Sequence, residues 1–176
     1  GFFNANDYHA TSSIWTSAIK AEFPEAHVGL VDTAVRSSDA AKLNRNYLWN
    51  RELNATDLSA FDALVRHHYS SAGLLDPQAA SGSLAEIQQQ QWSAFLAPDG
   101  PATVIGNAFS YMGDVAEHTQ HPDGLPIWIT EFNLMDKIGP VARTWSHALF
   151  SAAMLYGMLE DLPVELITSH SFHGHK

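Results

Sequence analysis

Cysteine is absent from the chain, and basic residues are scarce, with nine Lys and Arg against nineteen Asp and Glu. Without cysteine, the protein can form neither disulfide bonds nor thiolate metal sites. The formal charge of −10 leaves too few cations to neutralise a phosphate backbone, so nucleic acid is not an expected partner. A neutral or cationic ligand suits this charge better.

Long apolar runs are also absent. The most apolar stretch, residues 150–159, is much shorter than the roughly 18 to 20 uncharged residues that cross a bilayer, so no membrane partner is expected. No basic segment followed by an apolar core marks a targeting signal near Gly1. Because the first residue is Gly and not Met, we expect the chain to be part of a longer protein.

Helical and strand patterns alternate along the sequence, and 45% of its residues are hydrophobic, enough to bury a core. Amphipathic spacing, capping residues and helix breakers predict helices at residues 11–23, 37–53, 81–98, 107–117 and 140–159. Short apolar or β-branched runs predict strands at 27–31, 61–69, 126–132 and 163–169. This order predicts an α/β fold in which helical crossovers join the strands of a parallel sheet.

Glu131 is the only charged residue in the predicted strand 126–132. A carboxylate at the end of an apolar strand costs free energy unless it is paired or used. Strand alternation places Glu131 on the same face as Ile127 and Ile129, with Thr130 on the opposite face. Catalytic groups gather at the C-terminal ends of parallel strands, so we predict that Glu131 is a catalytic carboxylate. A structural ion pair with Arg or Lys is the alternative.

His67, His68 and Tyr69 end the second predicted strand. Alternation places His67 and Tyr69 on one face and His68 on the other. A Tyr hydroxyl can hold a neighbouring carboxylate ionised, and a His can bind a sugar hydroxyl or the same carboxylate. We predict that His67 and Tyr69 contact the substrate; the alternative is that one or both pack in the core.

Two further residues each have two readings. Asp32 ends the first predicted strand, where it either contacts a ligand or caps the following turn. Trp145 lies near the start of the last predicted helix, where it either stacks on a sugar ring at the rim of the site or packs in the core. We predict substrate contacts for both.

Three histidines, His170, His173 and His175, lie close together at the C-terminus. Their spacing matches no pattern of metal ligands, although a His-dependent metal site is a possible alternative reading. We expect His170 to end the fourth strand beside the substrate and the other two to lie in a tail. The sequence therefore predicts no metal site and no cofactor.

With Glu131 and the His67-x-Tyr69 pair at strand ends, the chain resembles the second half of the clan A glycoside hydrolases. These are retaining enzymes built on (β/α)8 barrels. Their nucleophile is a Glu at the end of barrel strand 7, in stretches similar to PIWITEF at residues 126–132, and a His-x-Tyr at the end of strand 6 commonly lies beside it. The segment WSHALF at residues 145–150 brings the chain nearest to the arabinofuranosidase-like and xylosidase-like branches.

The resemblance implies that residues 1–176 form the C-terminal part of a TIM barrel, with its strands 5 to 8, and that Glu131 is the nucleophile. The clan's acid/base is a second Glu, usually after an Asn, at the end of strand 4. No Asn-Glu pair occurs in this chain, so the acid/base and strands 1 to 4 are expected upstream of Gly1. The missing half of the barrel, or another chain, would then cover the open sheet edges.

The resemblance further implies a carbohydrate substrate and, by analogy with polysaccharide-degrading relatives, an extracellular or periplasmic location. Asn133, two residues after Glu131, joins the expected substrate contacts. A non-catalytic carbohydrate-binding or assembly protein on the same scaffold is the rival hypothesis, because a fold does not fix a function.

Overall fold

The computed structural model of the protein describes residues 4–33, 40–75, 82–118, 124–135, 140–142 and 144–170. Five helices and four strands alternate over these ranges. The helices are α1 (Ala5–Glu22), α2 (Ala40–Asn54), α3 (Leu84–Leu96), α4 (Gly100–His118) and α5 (Trp145–Asp161). The strands are β1 (Gly29–Val31), β2 (Ala63–Ser70), β3 (Ile127–Leu134) and β4 (Val164–Ser169).

The four strands form one parallel sheet in the order β1-β2-β3-β4. The register between the first two strands pairs Gly29 with Ala63, Leu30 with Leu64 and Val31 with Val65. The predicted α/β class with a parallel sheet is therefore confirmed, and each predicted strand and helix exists.

Three predicted helix starts are wrong. The first helix begins at Ala5 and not at Thr11. The fourth helix begins at Gly100 rather than near Asn107, so the Pro-Asp-Gly sequence that ends α3 also opens α4. The fifth helix begins at Trp145 and not at Pro140, because the Thr144 side chain accepts a hydrogen bond from the backbone N–H of His147 and caps the helix there. Capping side chains fix helix starts more sharply than apolar spacing does.

Polar caps also define the starts of α1 and α3. The Asn4 carboxamide oxygen accepts from the Asp7 N–H at 2.8 Å and opens α1. Ser83 and Glu86 form a reciprocal capping box at the start of α3. A cap of this kind contributes about 1 kcal/mol to helix stability.

The chain divides into two compact units, and the strands β2, β3 and β4 each contribute residues to both. The first unit contains residues 1–68, 117–131 and 163–168. Its core is a cluster of buried apolar side chains from α1, β1, α2 and β2, made of Ala5, Leu30, Leu53, Phe61 and Leu64. Full burial of a Leu side chain contributes roughly 1.5–3 kcal/mol, so this cluster fixes the sheet face against which the two helices pack.

The apolar residues that predicted helix α1 do not pack against this core. Ile14 and Trp15, on which the helix prediction rested, are 71% and 67% exposed, whereas Ala5 and Thr16 are buried. The spacing identified the helix correctly but not the face that packs.

The second unit contains residues 69–116, 132–162 and 169–176. Buried side chains recur every three or four residues along α4 and α5, which is the pattern of a helix with one packed face. They are Val104, Ala108, Tyr111 and Met112 in α4, and Phe150, Ala153, Met154 and Met158 in α5. None of the helices in the described ranges is both long and apolar enough to cross a membrane.

Candidate active site

Strand β2 sends alternate residues to two different environments. Leu64, Arg66 and His68 are buried, whereas Val65 is half-buried and His67 is exposed. Tyr69 is half-buried. This agrees with the prediction that Tyr69 lies on the same face of the strand as His67. The predicted separation of His67 from His68 is confirmed.

In the first unit, the side of the sheet that includes His67 is here called the accessible face. It carries Val65 and His67 from β2, Trp128 and Thr130 from β3, and Glu165 from β4. Trp128 donates its indole N–H to a Glu165 carboxylate oxygen at 2.9 Å, and the His67 ring contacts the Thr130 hydroxyl. The face therefore has separate polar contacts between β2 and β3 and between β3 and β4.

Glu131 belongs to this accessible face, and the prediction that it shares a face with Ile127 and Ile129 is wrong. Ile127 and Ile129 are buried, Thr130 and Glu131 are both half-buried, and Phe132 begins a new buried alternation. The backbone hydrogen bonds show why: the Ile127 N–H donates to the Pro163 carbonyl, and the Phe132 carbonyl accepts from the His170 N–H, so both residues bond on the β4 side of β3. Residues five positions apart face opposite neighbours in a regular strand, so β3 contains an extra residue between them, which is a β-bulge. The Thr130 carbonyl accordingly accepts a hydrogen bond from the Thr168 hydroxyl on β4.

The bulge brings Glu131 and Thr130 to the same imidazole. Nδ1 of His67 lies 3.4 Å from Oε2 of Glu131, and Nε2 of His67 lies 3.0 Å from the Thr130 hydroxyl. The side chains of His67 and Glu131 are 46% and 35% exposed. A carboxylate that keeps this much contact with solvent can meet a ligand, and the flanking imidazole can supply it with an N–H donor.

A second acid–base pair lies on the opposite, buried side of the sheet and joins Asp32, directly after β1, to Arg66 in the middle of β2. Arg66 donates from Nε to Oδ2 of Asp32 at 2.6 Å, and its Nη2 lies 2.5 Å from the same oxygen. Both side chains are almost fully buried. Burial raises the pKa of Asp32, while the Arg66 charge opposes that shift. This placement argues against the predicted substrate contact of Asp32, because Arg66 rather than solvent meets its carboxylate.

His68 is buried next to Arg66 and His67. Burial, reinforced by the positive charges of these two neighbours, lowers the pKa of His68 to about 4. The imidazole is therefore neutral at physiological pH, and His68 is part of the protein interior.

In the second unit, Asn133 joins three segments. Its amide nitrogen donates to the His170 carbonyl at 2.7 Å, and its amide oxygen accepts from the Leu134 N–H at 2.7 Å. The same oxygen lies 2.8 Å from Nε2 of His147 on α5. An amide oxygen only accepts hydrogen bonds, so His147 carries its proton on Nε2 in this contact. Asn133 thus holds β3, the end of β4 and α5 together, and its predicted substrate contact stays a prediction.

Two other predicted substrate residues meet in the second unit. The rings of Tyr69 and His170 lie edge to face, with centroids 6.0 Å apart, and His170 directly follows the last residue of β4 as predicted. Trp145 is 77% exposed at the start of α5, so the reading that places it in the core is wrong. The substrate contacts predicted for all three stay predictions.

The described residues contain no group of three or more His, Asp and Glu side chains that could hold a metal ion. His173 and His175 lie outside the described residues.

The sequence interpretation missed three residues that shape these sites, Arg66, Thr130 and His147. Arg66 is a lone cation in an apolar strand, which is the same signal that identified Glu131. Thr130 precedes Glu131 directly, and only the bulge brings both to one face. His147 lies in the first turn of α5, and its place there depends on the Thr144 cap, which sets where the helix begins.

No family model matches the chain, and a search among curated proteins found no matching relative. The case for a function therefore depends on the geometry of the sites.

Proposed function

We propose that the chain is part of a retaining glycoside hydrolase, that its four strands belong to a (β/α)8 barrel, and that Glu131 is the nucleophile. The observation that carries the proposal is a partly exposed carboxylate in the C-terminal half of a parallel strand, three residues before its last residue Leu134, with the His67 imidazole 3.4 Å away. Enzymes on parallel barrels place their catalytic groups at the C-terminal ends of the strands.

The strand order supports the barrel. Doubly wound sheets reverse their strand order at a switch point, whereas barrels add each new strand beside the last. The order β1-β2-β3-β4 contains no reversal. Right-handed crossovers in such a sheet put every helix on one face and leave the other face for the barrel interior. The contrast between buried Leu64 and Ile129 and the accessible His67 and Thr130 agrees with this arrangement.

In retaining hydrolysis, one carboxylate attacks the anomeric carbon, and a second carboxyl group protonates the leaving oxygen and later activates water. Glu131 would perform the first step, which requires its ionised form. An N–H from His67 would favour that form. The second carboxyl group would come from outside these 176 residues, on the strands that complete the barrel and cover the edges of β1 and β4.

The test uses the intact protein and a mechanism-based 2-fluoro glycoside with a good leaving group. The reagent should label Glu131, as read by peptide mass spectrometry, and Glu131→Gln should abolish labelling and lower turnover by about 10⁴-fold or more. Glu165→Gln is the matched control, because the amide keeps an oxygen acceptor for the Trp128 N–H. We expect that variant to label normally. Undiminished turnover in Glu131→Gln would refute the assignment.

The rival hypothesis of a non-catalytic carbohydrate-binding protein gives a different result in the same experiment. Such a protein would bind glycans, measured by calorimetry, without becoming labelled. In that case Glu131→Gln would change the affinity for glycans, and there would be no hydrolysis rate for it to lower.

A further inference from the structure

We propose that Thr130 is a positioning residue that fixes the tautomer of His67. Its hydroxyl donates to Nε2 of the imidazole, which keeps the ring proton on Nδ1 and directs an N–H towards the Glu131 carboxylate. The kinetic consequence rests on the proposed function of Glu131, whereas the tautomer itself does not.

The two nitrogens of His67 face partners of different chemistry. Nδ1 lies 3.4 Å from a carboxylate oxygen of Glu131, and an ionised carboxylate only accepts hydrogen bonds. An unprotonated Nδ1 would direct its lone pair at that oxygen, so the favourable state has the proton on Nδ1. In a neutral imidazole the other nitrogen is then an acceptor, and the partner of that nitrogen determines which tautomer is present.

Thr130 is suited to be that partner. Its hydroxyl lies 3.0 Å from Nε2 of His67, a normal hydrogen-bonding distance. A hydroxyl can donate or accept, so Thr130 donates to the neutral ring and can accept from the doubly protonated one. The Nδ1 proton faces Glu131 in both states.

The position of Thr130 is itself well defined. Its backbone carbonyl accepts from the Thr168 hydroxyl on β4, and its β-branched side chain has few rotamers. The bulge in β3 then places Thr130 and Glu131 on either side of one ring. The same bulge therefore positions both the Glu131 carboxylate and the Thr130 hydroxyl, which orients the His67 N–H towards that carboxylate.

The tautomer can be measured directly by NMR on the intact protein with ¹⁵N-labelled histidine, at about pH 8, where an ordinary imidazole is neutral. The His67 signals are assigned by their loss in His67→Asn. The wild-type protein should show the Nδ1–H form. Thr130→Ser keeps the hydroxyl and should keep this form, whereas the isosteric Thr130→Val should move His67 to a mixture or to Nε2–H. Thr103→Val, an exposed substitution in α4, should change nothing.

Turnover of the same variants tests the consequence. Loss of a hydrogen bond that supports a charged group predicts a kcat about tenfold to hundredfold lower in Thr130→Val and within about threefold of wild type in Thr130→Ser. An Nε2–H tautomer in the wild-type protein, or an unchanged tautomer in Thr130→Val, overturns the proposal even if Glu131 is labelled. If the tautomer responds as expected but Glu131 is never labelled, the proposed function fails and the role of Thr130 in orienting His67 stands.

Discussion

Two acid–base pairs connect neighbouring strands in the first unit, and they differ in burial and in the distance between the partners. Asp32 and Arg66 are buried and held by contacts of 2.6 and 2.5 Å. Glu131 and His67 are partly exposed and 3.4 Å apart. Arg66 and His67 are consecutive residues of β2, so one step along the strand separates a structural charge from a candidate catalytic one.

The difference teaches how burial decides what a charged side chain can do. A buried ion pair must keep its partner, because an isolated charge in the interior is very costly. A partly exposed pair contributes little to stability, and its carboxylate keeps contact with solvent, from which a ligand can approach. The predictions below test whether this division between the two pairs holds.

The largest expected stability effect comes from breaking the buried pair. Arg66→Met leaves the Asp32 carboxylate buried without its cation and should lower the free energy of unfolding by about 3–5 kcal/mol. His67→Ala removes a partly exposed partner and should cost at most about 1 kcal/mol. Urea denaturation of the intact protein measures both.

The double variant Asp32→Asn/Arg66→Met provides the control, because it removes both charges and should recover part of the loss. Equal destabilisation by Arg66→Met and His67→Ala would contradict the division between the two pairs.

The next effect is a pH dependence due to His68. Burial lowers its folded-state pKa to about 4 from the ordinary histidine value of about 6.5, so the unfolded chain binds the proton more tightly. Stability should therefore fall as the pH drops from about 6.5 towards 4, by roughly 3 kcal/mol over the whole window. His68→Leu should remove this part of the dependence.

Asp32 titrates with the opposite sign. Its pKa is raised in the folded state, so its contribution to stability is lost as the pH rises through that folded-state pKa. The difference between wild type and His68→Leu isolates the histidine, because both proteins keep Asp32. Parallel stability curves for the two proteins between pH 4 and 6.5 would show that His68 is not buried as described.

The smallest effect concerns how closely the accessible face is packed near the strand starts. A Cβ at Gly29 would lie 2.5 Å from a methyl carbon of Val65 and 3.0 Å from the Trp128 ring. Gly29→Ala should therefore cost about 1–3 kcal/mol. Gly106→Ala, in α4, meets nothing within 4 Å and should stabilise the helix by about 0.5–1 kcal/mol. Thermal unfolding measures both changes, and a neutral Gly29→Ala would mean that this face is open along its whole length.

Much of the fold could be predicted because its signals are local. Caps such as Ser83, apolar runs such as the one before Glu131, and helical spacing depend on residues a few positions apart. The candidate site was predictable to the extent that a lone carboxylate and a His-x-Tyr pair stand out in apolar strands. The strand ends were predicted less well, because β3 continues to Leu134, three residues past Glu131. The face of Glu131 was not, because a bulge shifts the alternation by one residue and leaves no mark in the apolar pattern.

By itself, the sequence determined the α/β class, the order of helices and strands, and the presence of Glu131 and His67 in the C-terminal halves of their strands. Tertiary structure alone decided that Asp32 pairs with Arg66, that Trp145 and the Ile14 side of α1 are exposed, and that Glu131 shares one imidazole with its neighbour in β3. The physical reason is distance along the chain. A propensity or a cap acts over one turn, whereas an ion pair between residues on different strands exists only after the sheet has formed.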